Sequence, residues 1–444
     1  MTNRKEELKD LLLKGSKIRV KELIGHVHPA DILDLIHEDE ENAKNILQNL
    51  PSDMIADILE EAETEEQYEL LQLFVDDHQK AILEEMGNDE ITDLIGELDP
   101  EEQKELLDKV GLEDREEIQT LLEYDPESAG GIMSTEYIDI FAKNTVRKTI
   151  EFLQTNVSED ASYYLYVVDK NNVLKGVVSL RDIITSSDET PMLSITNTNV
   201  KKILYSEDQE AVANKFVKYG YILMPVVDEE DHLLGVINFD DVMDVLEEET
   251  TEDIHLMGGI NSEERIHSTF LESYKSRAPW LMINLFTASL AACVVNYFEG
   301  TIEQVVMLAT VMPIVTALGG SAGTQSLTIV VRALSLGEIT KENAFKVCIK
   351  EIGVGVVAGI TVGCIATIGG YLFADNIYFG IVTGMAMINN MMIATIAGFC
   401  VPMILKRCNV DPALASGIFV TMVTDILGFL FFLGFATMFL PKLM

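Results

Sequence analysis

The sequence is poor in basic residues and in cysteine. Its 444 residues include 73 Asp and Glu against 32 Lys and Arg, which gives a formal net charge of −41. Such a charge repels nucleic acid and attracts cations, so we expect no nucleic-acid partner. The five cysteines all lie between positions 293 and 408, without a C-x-x-C spacing. This pattern indicates neither a disulfide framework nor a zinc site.

Histidine is absent beyond residue 267, and this absence decides how one motif is interpreted. The stretch GGSAG at 319–323 fits G-x-S-x-G, the pattern that holds the nucleophile of many serine hydrolases. Ser321 has no histidine in the C-terminal part to serve as its general base, and the apolar runs there contain no lysine. We therefore predict that the chain is not an enzyme.

The negative charge is confined to the first part of the chain. From Leu271 onward nine basic residues balance nine acidic ones, so the net charge belongs to residues 1–270. The C-terminal part carries five apolar runs, each long enough for a membrane-spanning helix of roughly 20 residues. They run approximately over 280–298, 305–331, 352–374, 377–405 and 412–440. Because the intervening loops alternate in charge, we expect a multi-pass plasma-membrane protein with cytosolic N-terminal domains and its C-terminus outside.

Residues 1–130 contain an imperfect repeat that predicts short amphipathic helices. Its copies are HPADILDLI at 28–36, LPSDMIADIL at 50–59 and MGNDEITDLI at 86–95. Units of this kind stack into an α-helical superhelix, because each buries its apolar face against its neighbours. Asp89 and Asp93 lie four residues apart on one helix face. Helix capping and solubility explain such acids as well as metal binding does.

Two further copies of one pattern follow, in domains that we place at 131–190 and 191–245. YLYVVDKNNVLKGVVSLRDI at 164–183 and LMPVVDEEDHLLGVINFDDV at 223–242 align with a constant offset, each reading as strand, turn, strand and helix start. The pair resembles α+β cystathionine β-synthase (CBS) domains. That resemblance implies ATP or another adenine nucleotide at Ser179, Arg181 and Asp182. The alternative is a plain strand-to-helix cap. A strongly acidic connecting helix, 246–275, leads to the membrane domain, 276–444.

Asp425 is the one acid deep within the five apolar runs as their limits are predicted here. Burying its charge in a membrane costs on the order of 2.5–3.5 kcal/mol, so the carboxyl is either protonated and hydrogen-bonded or accompanied by a cation. One carboxylate with nearby hydroxyls suits an ion that keeps its water, as Mg2+ does. Polar groups at membrane depth should line a wet cavity or bond to a neighbouring helix. The candidates are Ser321, Thr324, Gln325, Thr421 and Thr424.

The order of the parts, with AGTQSLTIVVRAL at 322–334 and DPALAS at 411–416, resembles the MgtE family of magnesium channels and transporters. The resemblance implies a homodimer that imports Mg2+ along a path between its subunits and closes when cytosolic Mg2+ is high. The pore aspartate of the family matches Asp425. Its Mg2+-sensing acids match Asp89, Asp93, Asp208, Glu210, Asp241, Asp244, Glu249, Glu252 and Asp253.

Three positions depart from the family pattern. Ser321 replaces the usual Asn, Gly417 replaces a polar pore-lining residue, and Ile418 replaces Pro. These departures leave open a transporter or exchanger of another divalent cation, such as Co2+, Mn2+ or Ni2+. A non-conducting membrane sensor built on the CBS pair is a further alternative, although such a sensor has no use for Asp425.

Overall fold

The computed structural model describes residues 27–156, 164–261, 268–414 and 416–444, together with residues 8, 9, 11–13, 264 and 266. The chain divides into two compact units, Met1–Val245 and Leu246–Met444. The predicted class is confirmed: a helical superhelix, a CBS pair with small sheets and a bundle of five long helices.

The first unit begins with short helices whose apolar faces share one core. Ile32, Ile46, Ile55, Ile58 and Leu94 are fully buried there. Helices this short are marginal alone, so packing between neighbours supplies their stability. The helices are Pro29–Glu38, Ala43–Leu47, Ser52–Glu60, Thr64–Leu71, Asp76–Leu83, Asn88–Gly96, Pro100–Leu107 and Leu112–Leu121, with a 3₁₀ turn at Glu40–Asn42.

The CBS pair forms two three-stranded sheets of identical topology. In each sheet the first strand pairs in parallel with the second, and the second pairs antiparallel with the third. Val167 faces Gly176 in the first sheet, and Val226 faces Gly235 in the second, so the sequence offset is also a structural one. The strands are Asp139–Phe141, Tyr164–Val168, Leu174–Ser179, Ile203–Leu204, Leu223–Val227 and Leu233–Asn238; the helices are Val146–Asn156, Leu180–Thr185, Met192–Ile195 and Gln209–Tyr219.

The helix Phe239–Gly258 follows the last strand, overlaps the predicted segment 246–275 only in its second part, and is called the connecting helix below. Among the described residues after it, five helices are long and apolar enough to cross a membrane, and we call them the first to fifth spanning helices. They are Phe270–Tyr297, Met307–Ser335, Ala344–Ala374, Ile377–Arg407 and Ser416–Met438. Short helices follow the first and the fifth, at Glu299–Gln304 and Leu440–Leu443.

Two spanning helices begin earlier than hydropathy predicted. The first begins at Phe270 because Thr269 and Glu272 form a capping box at its start. The third begins at Ala344 and not near 352, so its first turns contain Lys350 and Glu351. Polar turns at a helix end leave no apolar signal, which is why the predicted spans were too short there.

Glycines at G-x-x-x-G spacing in the spanning helices act as close-packing sites. A Cβ on Gly359 would lie 2.9 Å from the carbonyl oxygen of Ile388, and a Cβ on Gly363 would lie 2.9 Å from that of Gly384. The third and fourth spanning helices therefore meet backbone to backbone. We call this contact, at Gly355, Gly359, Gly363, Gly384 and Ile388, the glycine seam.

Candidate cation sites

Asp425 lies on the fifth spanning helix and opens to a cavity of about 740 Å³. Asn296, Glu299 and Glu303 line the same cavity, beside small residues of the first spanning helix such as Ala291. Among the described residues, no hydrogen bond or ion pair reaches the half-buried Asp425 carboxylate. Three carboxylic acids thus share one space, which favours a cation there.

The second spanning helix has one packed face and one open polar face. Gly319, Gly323 and Ser326 are buried. Ser321, Thr324, Gln325 and Thr328 are exposed in the protomer and follow the i, i+3, i+4, i+7 spacing of a single helix face. We call these four residues the polar face. An uncovered row of polar groups at membrane depth requires water or a further protein surface.

The two threonines of the fifth spanning helix that were predicted to line the pore differ in exposure. Thr421 is exposed, and its Oγ1 donates to the carbonyl oxygen of Gly417 at 2.8 Å. Thr424, also predicted to line the pore, is fully buried, with its methyl group near Gly323. Its hydroxyl donates to the Thr421 carbonyl oxygen at 2.9 Å, so it does not lie on an open face of the protomer.

The last turns of the connecting helix contact the second and fifth spanning helices. Ser335 donates from Oγ to Asp253 Oδ2 at 3.0 Å, and Leu256 is buried in a cluster with Leu327 and Val420. A Cβ on Gly417 would lie 2.9 Å from the Met257 carbonyl oxygen. The absence of a side chain at Gly417 therefore lets the end of the connecting helix pack closely against the fifth spanning helix.

Acids gather in the N-terminal unit around the helix that contains Asp89. Burial, followed by repulsion from Asp89, Glu60, Asp93 and Asp241, raises the pKa of Glu90 to about 9. Burial is also the largest cause that raises the pKa of Asp241, to about 7, and of Asp89. Carboxylates held together at this cost form a place where a divalent cation relieves repulsion.

The remaining predicted sensor acids lie at the start of the helix Gln209–Tyr219 and along the connecting helix. Asp208 caps the helix Gln209–Tyr219, since its Oδ1 accepts from the backbone N–H groups of Glu210 and Ala211 at 3.1 and 3.3 Å. Asp244 is exposed on the connecting helix, and Glu249 and Glu252 are half-buried further along it. Glu210, Asp244, Glu249 and Glu252 each take part in further interactions.

The predicted nucleotide residues stand at the start of the helix Leu180–Thr185. Ser179 Oγ donates to Asp182 Oδ2 at 2.6 Å and accepts from the Asp182 backbone N–H at 3.1 Å. Arg181 and Asp182 are exposed. The capping geometry is therefore present, and it leaves a charged, accessible edge to which a ligand could bind.

Family models match three parts of the chain. The model described as a divalent cation transporter matches residues 312–435, that of the MgtE intracellular N domain matches 27–127, and that of the CBS domain matches 129–189 and 193–248. The magnesium transporter MgtE of Thermus thermophilus is 32% identical over 446 residues, covering 98% of both chains. This chain belongs to the MgtE family. Its Enterococcus faecalis relative is 35% identical over 329 residues, covering 74% of this chain and 72% of the relative.

Solved structures of the soluble parts of magnesium-transport proteins match about half of this chain. The soluble part of a magnesium transporter gives a TM-score of 0.52 at 31% identity and covers 56% of this chain and 98% of that one. The cytosolic domain of the Mg2+ channel MgtE in complex with ATP gives 0.51 at 34% identity, covering 54% and 99%. This MgtE chain is a multi-pass membrane transporter and, as predicted, not an enzyme.

Several acids of this MgtE chain escaped the sequence reasoning. Glu299 and Glu303 lie outside the predicted apolar runs, yet they share the cavity of Asp425. Glu351 is 3% exposed and accepts from Ser326 Oγ at 2.8 Å. The sequence gives no sign of the Glu90 environment, because its neighbour Asp241 is distant in sequence. The i, i+4 spacing of Glu299 and Glu303 was the one available signal.

The raised pKa values predict that the MgtE N-terminal unit is less stable at high pH in the absence of metal. Native Asp241 and Glu90 retain protons that the unfolded chain has released, so stability falls as pH rises through about 7 and about 9. The slope is about 1.4 kcal/mol per pH unit for each proton. Thermal unfolding in EDTA should show this decline. Mg2+ should offset it more at pH 8 than at pH 6, and Glu90→Gln should flatten it.

Proposed function

We propose that this MgtE chain imports Mg2+ across the plasma membrane. The observation that carries the proposal is the Asp425 carboxylate, set in an apolar bundle and open to a cavity that Glu299 and Glu303 also line. A permeating cation would lower the energy of these acids, and they would attract it. The magnesium transporters among its relatives support the same ion.

The choice of Mg2+ rests on the few protein oxygens around Asp425. Mg2+ gives up its water reluctantly and is usually held through one or two carboxylates, whereas Ca2+ takes six to eight oxygen ligands. A cavity of about 740 Å³ also has room for an ion that keeps its water shell. The exposed hydroxyl of Ser321 would then bond to the water of the ion.

We further propose that the pore forms between two copies of the chain. The polar face of the second spanning helix is exposed in the protomer, and a partner would enclose it in a water-filled path. Two Asp425 carboxylates would then act on one ion. With the native cysteines replaced, Ser321→Cys should cross-link into a dimer on oxidation, whereas Ile365→Cys on the third spanning helix should not. Absence of the Ser321 cross-link would contradict this arrangement.

The gate in this proposal is the connecting helix. Cytosolic Mg2+ would bridge the acids around Asp89 and Asp241, and the ordered N-terminal unit would hold the connecting helix against the second and fifth spanning helices. Two contacts are available for the closed state: the Ser335–Asp253 hydrogen bond and the close packing of Met257 on Gly417. When Mg2+ is scarce, repulsion among the acids would release the helix.

A flux assay on the full chain in proteoliposomes tests the transported ion. We expect Mg2+ entry reported by an internal dye, and weaker entry of Co2+, Mn2+ and Ni2+ at equal concentration. Failure of Mg2+ to compete with one of those ions would favour another divalent cation. A preparation that moves no ion at low Mg2+ would favour the non-conducting sensor.

We also propose that ATP or another adenine nucleotide binds at Ser179, Arg181 and Asp182. The accessible carboxylate of Asp182 would accept hydrogen bonds from ribose hydroxyls, and Arg181 would face the phosphates. The ATP complex of a similar cytosolic domain supports nucleotide binding in general. Calorimetric titration should show ATP binding to wild type and its loss in Asp182→Ala.

A further inference from the structure

The fourth spanning helix buries an amide side chain at the centre of the bundle. Asn390 is 2% exposed, and its Nδ2 donates to the backbone carbonyl oxygen of Val315, on the second spanning helix, at 2.8 Å. Its Oδ1 is buried without a hydrogen-bond partner within the described part of the chain. An unpaired buried acceptor is costly, and a side chain of similar volume without polar atoms would avoid that cost. Packing alone therefore does not account for an asparagine here.

Glycines on two other helices make room for this amide. A Cβ on Gly319 of the second spanning helix would lie 2.2 Å from Asn390 Nδ2, and a Cβ on Gly428 of the fifth would lie 2.9 Å from Oδ1. Real Cβ atoms do not approach that closely, so a side chain at either position would displace the Asn390 amide. The planar amide is thus held between the backbones of two helices.

Each of those glycines lies next to a residue of the cation path. Gly428 is one helical turn beyond Asp425, and Gly319 lies two residues before Ser321 on the polar face. Two residues along a helix correspond to a rotation of about 200°, so Ser321 points away from the amide when Gly319 points toward it. The thickness of the amide sets the spacing of the two helices. The bond to Val315 fixes the rotation of the second helix.

We propose that Asn390 is a positioning residue that sets the placement of the Asp425 carboxylate relative to the polar face, and so the affinity and selectivity for the permeating cation. This inference rests on the proposed Mg2+ transport. Asn390 acts through the two helices that it separates. Its hydrogen bond is directional, whereas an apolar side chain would allow the second helix to rotate.

Uptake kinetics of the full chain in proteoliposomes test the proposal. Asn390→Leu keeps the number and branching of the side-chain heavy atoms and removes the hydrogen bond. We expect the half-saturating Mg2+ concentration to rise about tenfold, with weaker discrimination against Ca2+ and a maximal rate per folded protein within about twofold of wild type. Asn389→Leu makes the same change one residue earlier and should leave both parameters unchanged. A lower maximal rate with an unchanged half-saturating concentration would overturn the proposal.

A second variant addresses the same contact from the fifth spanning helix. Gly428→Ala presses a methyl group onto the amide oxygen and should also raise the half-saturating concentration. Combining it with Asn390→Ala removes the clash, so the double variant should be closer to wild type than additive effects allow. Additive effects would overturn the proposal. If wild type moves no Mg2+, or Asp425→Asn equals wild type, the proposed transport itself fails; if those two behave as proposed, failure of the Asn390 variants concerns Asn390 alone.

Discussion

Replacing Asp425 with alanine is expected to reduce Mg2+ uptake at least about a hundredfold, since a cation that offsets a burial cost on the order of 2.5–3.5 kcal/mol must bind the carboxylate about that strongly. The cavity would retain Glu299 and Glu303 at its wall, but the spanning helix would lose its charge at that depth. Asp425→Asn keeps the shape and should be nearly as severe. Growth of a Mg2+-dependent strain and dye-reported flux both measure the loss.

Asp375→Asn is the matched control for Asp425→Asn. Asp375 is exposed at the end of the third spanning helix with φ of 50°, a conformation that asparagine also accepts. The control should therefore transport at the wild-type rate. Wild-type uptake by Asp425→Ala, at equal amounts of folded protein in the membrane, would remove Asp425 from the ion path.

Removing residues 1–245 is expected to abolish inhibition by cytosolic Mg2+. The truncated chain keeps the second compact unit, with the connecting-helix contacts at Asp253 and Gly417, but loses the acids around Glu90. Without a metal-ordered domain to hold it, the connecting helix would depend on those contacts alone. Uptake at high internal Mg2+ should rise about tenfold over that of the full chain, within the usual range of allosteric coupling.

Ser335→Ala in the full chain provides a graded comparison for the truncation. It removes the hydroxyl that bonds to Asp253 and leaves the N-terminal unit intact. We expect a modest shift of the inhibitory Mg2+ concentration and no loss of inhibition. A truncated chain that still closes at high Mg2+ would show that the sensor lies within residues 246–444.

The sequence was sufficient for the architecture because each part has its own periodicity. Constant offsets revealed the CBS pair, and hydropathy revealed the spanning helices. Rotation about a helix axis was not predictable in the fifth spanning helix, which is apolar nearly all round. Thr421 and Thr424 therefore looked equivalent, although one is exposed and the other is buried.

Contacts between distant segments also could not be predicted from the sequence. The pKa of Glu90 depends on Asp241, which the fold brings near from a separate domain. The sequence does not single out Asn390, since nothing in the pattern places it between Gly319 and Gly428. Both arrangements depend on tertiary packing, which no local pattern encodes.

The glycine seam has a mechanical consequence. Because the third and fourth spanning helices touch through backbone atoms at Gly359 and Gly363, sliding one past the other would drive side chains into carbonyl groups. Interlocked surfaces of this kind resist shear and move as one body. The third and fourth spanning helices would therefore form one rigid unit, and the second and fifth spanning helices would shift relative to it when the pathway widens.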